Sequence, residues 1–287
     1  MNRQAERGQV ESLPDSKSRL SEVGAMQFHA QYGEDRLLWD YFGKVPRGVC
    51  VEVGGYDGVT GSNSLFFEKQ GWTTIVVEPM PAYAEIIRKA RPAARLFNCA
   101  AGAKAGKATF TIAHGAEAYS TMSDDVTRLD RIQRGGAKVE QLVVPVRTVD
   151  SILEEAGVGE LQFATIDVEG VEEVVLSGFD LDKWRPRVLI LENKFGKYSP
   201  RFRRLLFARG YHFFQRTGCN EWYLHGSEPA VTPGLRAQNR VVTLAFGVID
   251  RVKKPFEHLL RESGLKAWNY RRIRARRERK RRKPKAG

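Results

Sequence analysis

The chain has 287 residues, of which 42% are hydrophobic, a composition that provides for one folded domain with terminal extensions. The N-terminal residues are polar and no segment approaches the roughly 18 apolar residues of a membrane span, which disfavours a secretory leader or a transmembrane protein and predicts a cytoplasmic one. Residues 251–287 contain 16 Lys and Arg and three Asp and Glu, so this tail carries the whole net charge of +13, and the neutral remainder disfavours a nucleic-acid-binding body.

Strands and helices are predicted to alternate after a polar leader at residues 1–26. The segment Gln31-Tyr32-Gly33-Glu34-Asp35 precedes apolar positions at helical spacing up to Phe42, and this helix is expected to cap the sheet. The next predicted elements are strand 49–53, helix 62–70, strand 73–78, helix 81–90 and strand 95–98. This order is typical of one half of a parallel α/β sheet.

The following segment interrupts the alternation. Residues 109–112 alternate as in an extended strand, whereas residues 113–138 are rich in Gly, Ala, Ser and charge and form either a substrate lid or a loop. Ser120 and Thr121 lie in this segment and are candidates to touch a substrate or a cofactor, should the protein bind them, although loop polarity explains them equally well. His114 also lies there and is the first candidate among the five histidines.

Metal binding is not predicted. The histidines have neither metal-site nor catalytic-triad spacing. The cysteines at positions 50, 99 and 219 are widely spaced, and we expect them to be buried free thiols.

The second half resumes the alternation. Its predicted elements are strand 141–147, helix 149–156, strand 162–166, helix 171–177, strand 187–191, helix 200–208 and a closing hairpin of strands 211–214 and 221–224. The whole pattern predicts an α/β fold, a doubly wound and mostly parallel sheet with a C-terminal β-hairpin, over residues 27–225.

The glycine-rich segment after the first strand is the main candidate for a ligand site. Gly54, Gly55 and Gly58 follow the apolar run Val49–Val53 and permit a sharp turn and close approach of a ligand. The spacing is not the G-x-G-x-x-G of a dinucleotide site, and the acidic Glu52 suits a ligand with a positive amino group, such as S-adenosylmethionine. The alternative is an ordinary strand-to-helix turn.

Acidic and amide side chains follow the ends of neighbouring strands. Glu78 ends the second strand, where a carboxylate can accept both hydroxyls of a ribose. Because the carboxyl ends of parallel strands meet at one edge, Gly54, Glu78, Asn98, Asp167 and Glu192 are expected to converge there.

Several separated motifs resemble one protein family. They are Gln31 to Asp35, Val51 to Gly58 with Ser62-Asn63-Ser64, Gly71-Trp72, Glu78-Pro79, Asn98-Cys99-Ala100-Ala101, and Asp167-Val168-Glu169-Gly170 with Glu172. In this order they are similar to the FkbM family of S-adenosylmethionine-dependent methyltransferases, over roughly residues 27–225. Glu52 stands where that family more often has aspartate, and Gly55-Tyr56-Asp57 replaces its frequent Ala-Asn-x loop.

The resemblance implies a Rossmann-like class I methyltransferase fold and methyl transfer to hydroxyls of carbohydrates or small metabolites. The implied cofactor-binding residues are Glu52, Gly54, Gly55, Tyr56, Gly58, Asn63, Glu78, Pro79, Asn98, Ala100 and Asp167. By this analogy Glu78 holds the ribose, Glu52 and the glycine loop hold the methionine end, and Asn98 to Ala101 border the adenine. Asp167 or Glu169 would take the proton of an acceptor hydroxyl.

These acids could instead have purely structural roles in a helix. Asp167 could be the N-cap of the helix that starts near Val171, and Glu169 and Glu172 could be first-turn acids that favour the helix dipole.

The C-terminal extension supports a separate hypothesis. Residues 226–268 include apolar positions at loose helical spacing and precede the basic tail 269–287, which we expect to be disordered. Together they favour either an amphipathic helix at an anionic membrane surface, within reach of a lipid-linked glycan, or a packed helix with a solvated tail. The rival functions are a nucleic-acid methyltransferase or binding protein that uses the tail, and a non-catalytic scaffold.

Overall fold

A computed structural model of the protein describes residues 26–43, 45–114, 138–193 and 202–241. Residues 1–25 of the predicted leader, Ser120, Thr121, most of the predicted lid and the basic tail lie outside these ranges, as does the side chain of His114. Of the predicted C-terminal extension only residues 226–241 are described, and residues 233–241 are helical. Within the described ranges no helix has both the length and the apolar character needed to cross a membrane.

Ten strands are described. They are β1 (Val49–Val53), β2 (Thr73–Val77), β3 (Arg95–Phe97), β4 (Ala100–Ala101), β5 (Gly106–His114), β6 (Lys138–Arg147), β7 (Phe163–Ile166), β8 (Val188–Glu192), β9 (Tyr211–Thr217) and β10 (Asn220–His225). Seven form one sheet in the order β3-β2-β1-β7-β8-β10-β9. The first five of these strands are parallel, and β10 is antiparallel to both β8 and β9. The predicted doubly wound α/β sheet with a C-terminal hairpin is therefore confirmed.

Within the described ranges, seven helices besides the helical residues 233–241 connect these strands or flank the sheet. They are α1 (Glu34–Tyr41), α2 (Leu65–Lys69), α3 (Pro81–Ala90), α4 (Val149–Glu155), α5 (Glu172–Ser177), α6 (Leu181–Trp184) and α7 (Arg203–Ala208). The predicted helix 62–70 is shorter in the structure because Ser62, Asn63 and Ser64 bend around the carboxylate of Glu52. The single-turn α6, whose first N–H groups Asp180 caps, was not predicted.

A second, three-stranded sheet, in the order β4-β6-β5, occupies the segment that interrupts the alternation. The strands β5 and β6 pair antiparallel from Gly106 with Val146 to His114 with Lys138. The sequence predicted extended segments here but not their pairing, and the ends of the predicted lid belong to these strands.

The two faces of the large sheet bury separate apolar clusters. Val51, Val53 and Ile166 belong to one, and Cys50, Phe66 and Phe163 to the other, with the side chains of α1 and α2. Burial of apolar surface on both faces fixes the strand register, and so fixes which side chains reach the strand ends. Cys50 and Cys99 are buried thiols as predicted, whereas Cys219 is half-buried.

Candidate active site

A cavity of about 570 Å³ opens where the carboxyl ends of β1, β2, β7 and β8 meet. This volume lies in the range of small-molecule sites, roughly 300–1,000 Å³. Most of the predicted site residues line it, namely Glu52, Gly54, Gly55, Tyr56, Asn63, Glu78, Pro79, Ala100, Asp167 and Glu169. Gly58 and Asn98 are not among its lining residues.

Glu78 is held in one orientation at the end of β2. It is 5% exposed, and its two carboxylate oxygens accept hydrogen bonds from the N–H groups of Tyr56, at 2.9 Å, and Met80, at 2.8 Å. Burial raises the pKa of Glu78 to about 7, against the opposite effect of these two hydrogen bonds. A buried carboxylate whose position the backbone fixes is suited to a pair of neutral hydroxyl donors.

Gly54 allows the ends of β1 and β7 to touch. Its φ is 96°, and a Cβ added there would lie 1.8 Å from the carbonyl oxygen of Asp167. The N–H of Asp167 in turn donates to the carbonyl of Val53 at 2.9 Å. A side chain at position 54 would therefore displace the backbone that carries Asp167.

Gly58 and Asn98 support the cavity from behind. The carbonyl of Gly58 accepts a hydrogen bond from Arg91, and a Cβ at this glycine would press on Ile87 at 2.9 Å. The Asn98 amide donates to the carbonyls of Glu78 and Pro79, at 2.8 and 3.2 Å. Asn98 thus braces the end of β2, a role that the sequence did not indicate.

Glu52 lies at the centre of a buried network below the glycine loop. It accepts hydrogen bonds from Ser62 and Ser64 at 2.8 and 2.5 Å, and from the N–H of Asn63 at 2.7 Å. Arg91, whose side chain is 0% exposed, lies 3.3 Å from Glu52 and 2.8 Å from Glu68. The carboxylate of Glu52 therefore organises the loop, and its predicted contact with the methionine end of the cofactor stays a prediction.

Arg91 was missed by the sequence analysis. It directly follows the last residue of α3 in a basic segment with Arg88 and Lys89, and no pattern there distinguishes it from the exposed Arg88 one turn earlier. Only the folded chain brings it beneath the glycine loop.

Three carboxylates meet on the other side of the cavity. The oxygens of Asp167, Glu169 and Glu192 lie within 4.8 Å of one another, with Asp167 exposed, Glu169 half-buried and Glu192 5% exposed. Hard divalent cations use such oxygens, so the prediction that the protein holds no metal stays untested. Glu192 was expected at this edge, but it was not among the predicted site residues.

The helix-cap alternative for Asp167 is wrong. The helix α5 begins at Glu172, and its N-cap Val171 makes no side-chain cap hydrogen bond. Glu172 is the first-turn acid, and it accepts the N–H of Gly170 at 2.7 Å. Glu169 precedes the helix with a φ of 58°, so its first-turn alternative is wrong too.

The charged side chains that line the cavity within the described ranges are all acidic. Five carboxylates line it, and none of its lining residues within the described ranges is Lys, Arg or His. Such a wall attracts a positively charged ligand and repels an anionic one.

The sequence matches the methyltransferase FkbM domain over residues 52–213, more than half of the chain. The chain belongs to the FkbM methyltransferase family. The resemblance found in the sequence is thereby confirmed, and this FkbM methyltransferase depends on S-adenosylmethionine. The acidic lining of the cavity fits the sulfonium and ammonium groups of that cofactor, and the buried Glu78 at the end of β2 fits its ribose.

Solved structures similar to this FkbM methyltransferase include two other methyltransferases. The TehB-like S-adenosylmethionine-dependent methyltransferase from Corynebacterium glutamicum is 12% identical, with a TM-score of 0.35, over 72% of this chain and 92% of that chain. The METTL16 methyltransferase domain is 11% identical, with a TM-score of 0.36, over 76% of this chain and 71% of that chain. Among curated proteins, no sequence matches the chain.

Proposed function

We propose that the protein methylates a hydroxyl group of a carbohydrate or a small metabolite, including a glycan carried on a lipid. The observation that supports this proposal is the group of three carboxylates, Asp167, Glu169 and Glu192, in the cavity that Glu78 also lines. A hydroxyl becomes a competent nucleophile as it loses its proton, and a carboxylate within hydrogen-bond reach can accept that proton.

S-adenosylmethionine, when bound, supplies a methyl group on a positively charged sulfur. The residues of the chain hold the acceptor hydroxyl in line and remove its proton, and positioning supplies most of the rate enhancement in reactions of this kind. Asp167 is the first candidate for the base because its backbone is fixed between β7 and the glycine loop. Glu169, two residues further on, is the second.

The cavity argues against the rival functions. A nucleic-acid methyltransferase would bring phosphates to the cavity, and the described lining residues include no Lys or Arg to contact them, so this argument concerns the cavity and not the basic tail. A scaffold that had lost its activity would not need Glu78 oriented by two hydrogen bonds or a glycine where β1 meets β7.

In this proposal the C-terminal tail, residues 269–287, holds the enzyme at a membrane surface. The 11 Lys and Arg residues of segment 269–287 favour the anionic inner face of a membrane, where each contributes about 1 kcal/mol near the surface. A cytoplasmic enzyme placed there would reach lipid-linked glycans. Flotation with liposomes that contain anionic lipids, with and without residues 269–287, tests this location, and no flotation of either form would contradict it.

The experiment that tests the function follows labelled methyl groups from S-adenosylmethionine into a panel of hydroxyl-bearing acceptors. We expect the label in a methyl ether, and label recovered on nitrogen or on nucleic acid would contradict the proposal. The variant Asp167→Asn should lower the turnover number by about 10² to 10⁴, with the affinity for S-adenosylhomocysteine nearly unchanged by calorimetry.

The matched control is Asp182→Asn, an exposed acid in α6 that does not line the cavity, for which wild-type turnover is expected. Full turnover in Asp167→Asn would remove Asp167 from the mechanism, and Glu169→Gln would then be measured in the same assay.

A further inference from the structure

Tyr32 lines the cavity, and its ring packs against a glycine whose missing side chain leaves room for it. Its side chain lines the cavity and 43% of the residue is exposed. One part of the ring packs against Gly218, in the turn between β9 and β10, where an added Cβ would lie 2.4 Å from the ring atoms. The ring is therefore supported by backbone on one side and is accessible elsewhere.

The segment that carries Tyr32 is fixed by a buried acid. The N–H of Tyr32 donates to Glu34 at 2.9 Å, and Glu34 is 0% exposed. The other carboxylate oxygen of Glu34 accepts hydrogen bonds from Thr217 and Asn220, both at 2.8 Å. These two donors flank the turn that contains Gly218, so the same acid holds the tyrosine segment and its supporting turn together.

Cys219 connects this tyrosine to the three carboxylates. Its sulfur lies 3.7 Å from the Tyr32 hydroxyl and 3.7 Å from a carboxylate oxygen of Glu192. Tyr32 therefore borders the part of the cavity that contains Asp167, Glu169 and Glu192, whereas Tyr56 and Glu78 border the opposite part at the glycine loop.

We propose that Tyr32 is the platform on which the acceptor stacks, and that the acceptor is an uncharged sugar ring. The inference rests on the function proposed above and narrows its substrate class. A sugar ring offers an apolar C–H face to an aromatic side chain and hydroxyl donors at its edge to carboxylates. A tyrosine held rigidly provides this contact area at a low cost in conformational entropy.

The negative charge of the cavity restricts the expected acceptors to sugars without anionic groups. Phosphate, sulfate or carboxylate groups on the sugar would face carboxylates without a Lys, Arg or His among the described lining residues. Sugar nucleotides, sugar phosphates and uronic acids are therefore poor acceptors, and neutral glycosides are good ones.

The first test measures methyl transfer to methyl glycosides of neutral hexoses and deoxyhexoses, beside the matching hexuronates and hexose phosphates. We expect transfer to at least one neutral glycoside, with kcat/KM at least tenfold above that of its charged analogues. Equal or faster transfer to a charged analogue would overturn the inference. Failure of every neutral glycoside, in protein that binds S-adenosylhomocysteine, would also overturn it and would leave the cofactor site intact.

The second test separates the platform from general effects on the fold. With the neutral glycoside, Tyr32→Ala is expected to raise KM about tenfold, while the dissociation constant of S-adenosylhomocysteine stays unchanged and Tyr32→Phe retains a near wild-type KM. Phe214→Ala removes a ring of similar exposure, 36%, from β9, outside the cavity, and should change neither value. An unchanged KM in Tyr32→Ala would show that the ring is not the platform.

A glycine pair provides the matched control for the supporting turn. Gly218→Ala places a Cβ into the Tyr32 ring at a φ of 53°, whereas Gly157→Ala has a similar φ of 60° and nothing within 4 Å. Both substitutions impose backbone strain, but only the first displaces the ring, so only the first should raise KM for the glycoside. Equal KM values in the two variants would contradict the role of this turn. If the wild-type protein does not bind S-adenosylhomocysteine, that result would instead contradict the proposed function itself.

Discussion

The two parts of the cavity are built in different ways. The glycine-loop part takes its lining from within residues 52–101, a single stretch of chain that contains the end of β1, the strands β2 to β4 and the turns between them. The carboxylate part combines four distant segments, represented by Tyr32, Asp167, Glu192 and Cys219. The sequence predicted from the strand order that Asp167 and Glu192 would meet at this edge, but the fold was needed to add Tyr32 and Cys219 to them.

The two parts also differ in how their acids are held. Glu52 is ion-paired with the buried Arg91, and Glu78 is oriented by backbone N–H groups. On the other side, the buried Glu34 is held by neutral side-chain donors and fixes the position of Tyr32. We infer that the glycine-loop part depends on a buried charge pair for its shape, whereas the segment of Tyr32 is held by the neutral donors that Glu34 binds.

The largest expected effect is that of removing this charge pair. Arg91→Met leaves Glu52 and Glu68 buried without their cation, and the free energy of unfolding should fall by about 3–5 kcal/mol in urea titrations. The control Arg88→Met, one turn earlier in α3, breaks an exposed pair with Glu85 and should cost about 0–1 kcal/mol. Equal losses in the two variants would refute the role assigned to Arg91.

The second prediction concerns the contact between the two parts of the cavity. Gly54→Ala forces a Cβ against the carbonyl of Asp167, so the affinity for S-adenosylhomocysteine should fall about 10²-fold in calorimetric titrations. Gly71→Ala has a comparable φ of 84° but open space around its Cβ, and it should bind the ligand as the wild type does. An equal loss of affinity in both variants would assign the effect to backbone strain, and wild-type affinity in Gly54→Ala would contradict the role of the contact.

The smallest expected effect is a pH dependence of cofactor binding. The pKa of Glu78 is about 7 in the free protein, and hydroxyl donors of a ribose would stabilise its ionised form and lower that pKa in the complex. Affinity for S-adenosylhomocysteine should therefore rise by up to about tenfold per unit as the pH increases toward 7, and level off above it. Glu78→Gln should abolish this rise, and a pH dependence that persists in the variant would assign it to another group.

Local pattern was sufficient for much of the fold. The apolar run at 49–53 predicted the exact limits of β1, because burial on both faces is a property of a few neighbouring residues. The fixed φ of Pro81 likewise predicted the exact first residue of α3. The helix expected at 62–70 was too long, because Glu52 draws Ser62 and Ser64 into a loop from ten or more residues away.

The pairing of strands that are distant along the chain could not be predicted from local pattern. The chain passes from β8 to the sheet edge at β9 before β10 returns between them, and nothing in the two short strands specifies that insertion. The pairing of β5 with β6 likewise joins segments separated by residues 115–137. The limits of the predicted domains, 27–225 and 226–268, stay predictions.

By itself, the sequence determined the α/β class, the family and the glycine-loop part of the site, because the end of a strand, the turn after it and the next strand are specified by adjacent residues. Only the tertiary structure decided that Arg91 lies beneath Glu52, that Asn98 braces a backbone turn, and that Tyr32 joins the predicted acids at one cavity. The physical reason is that these contacts join residues whose separation along the chain carries no signal, and the packing of the sheet and its helices brings them together.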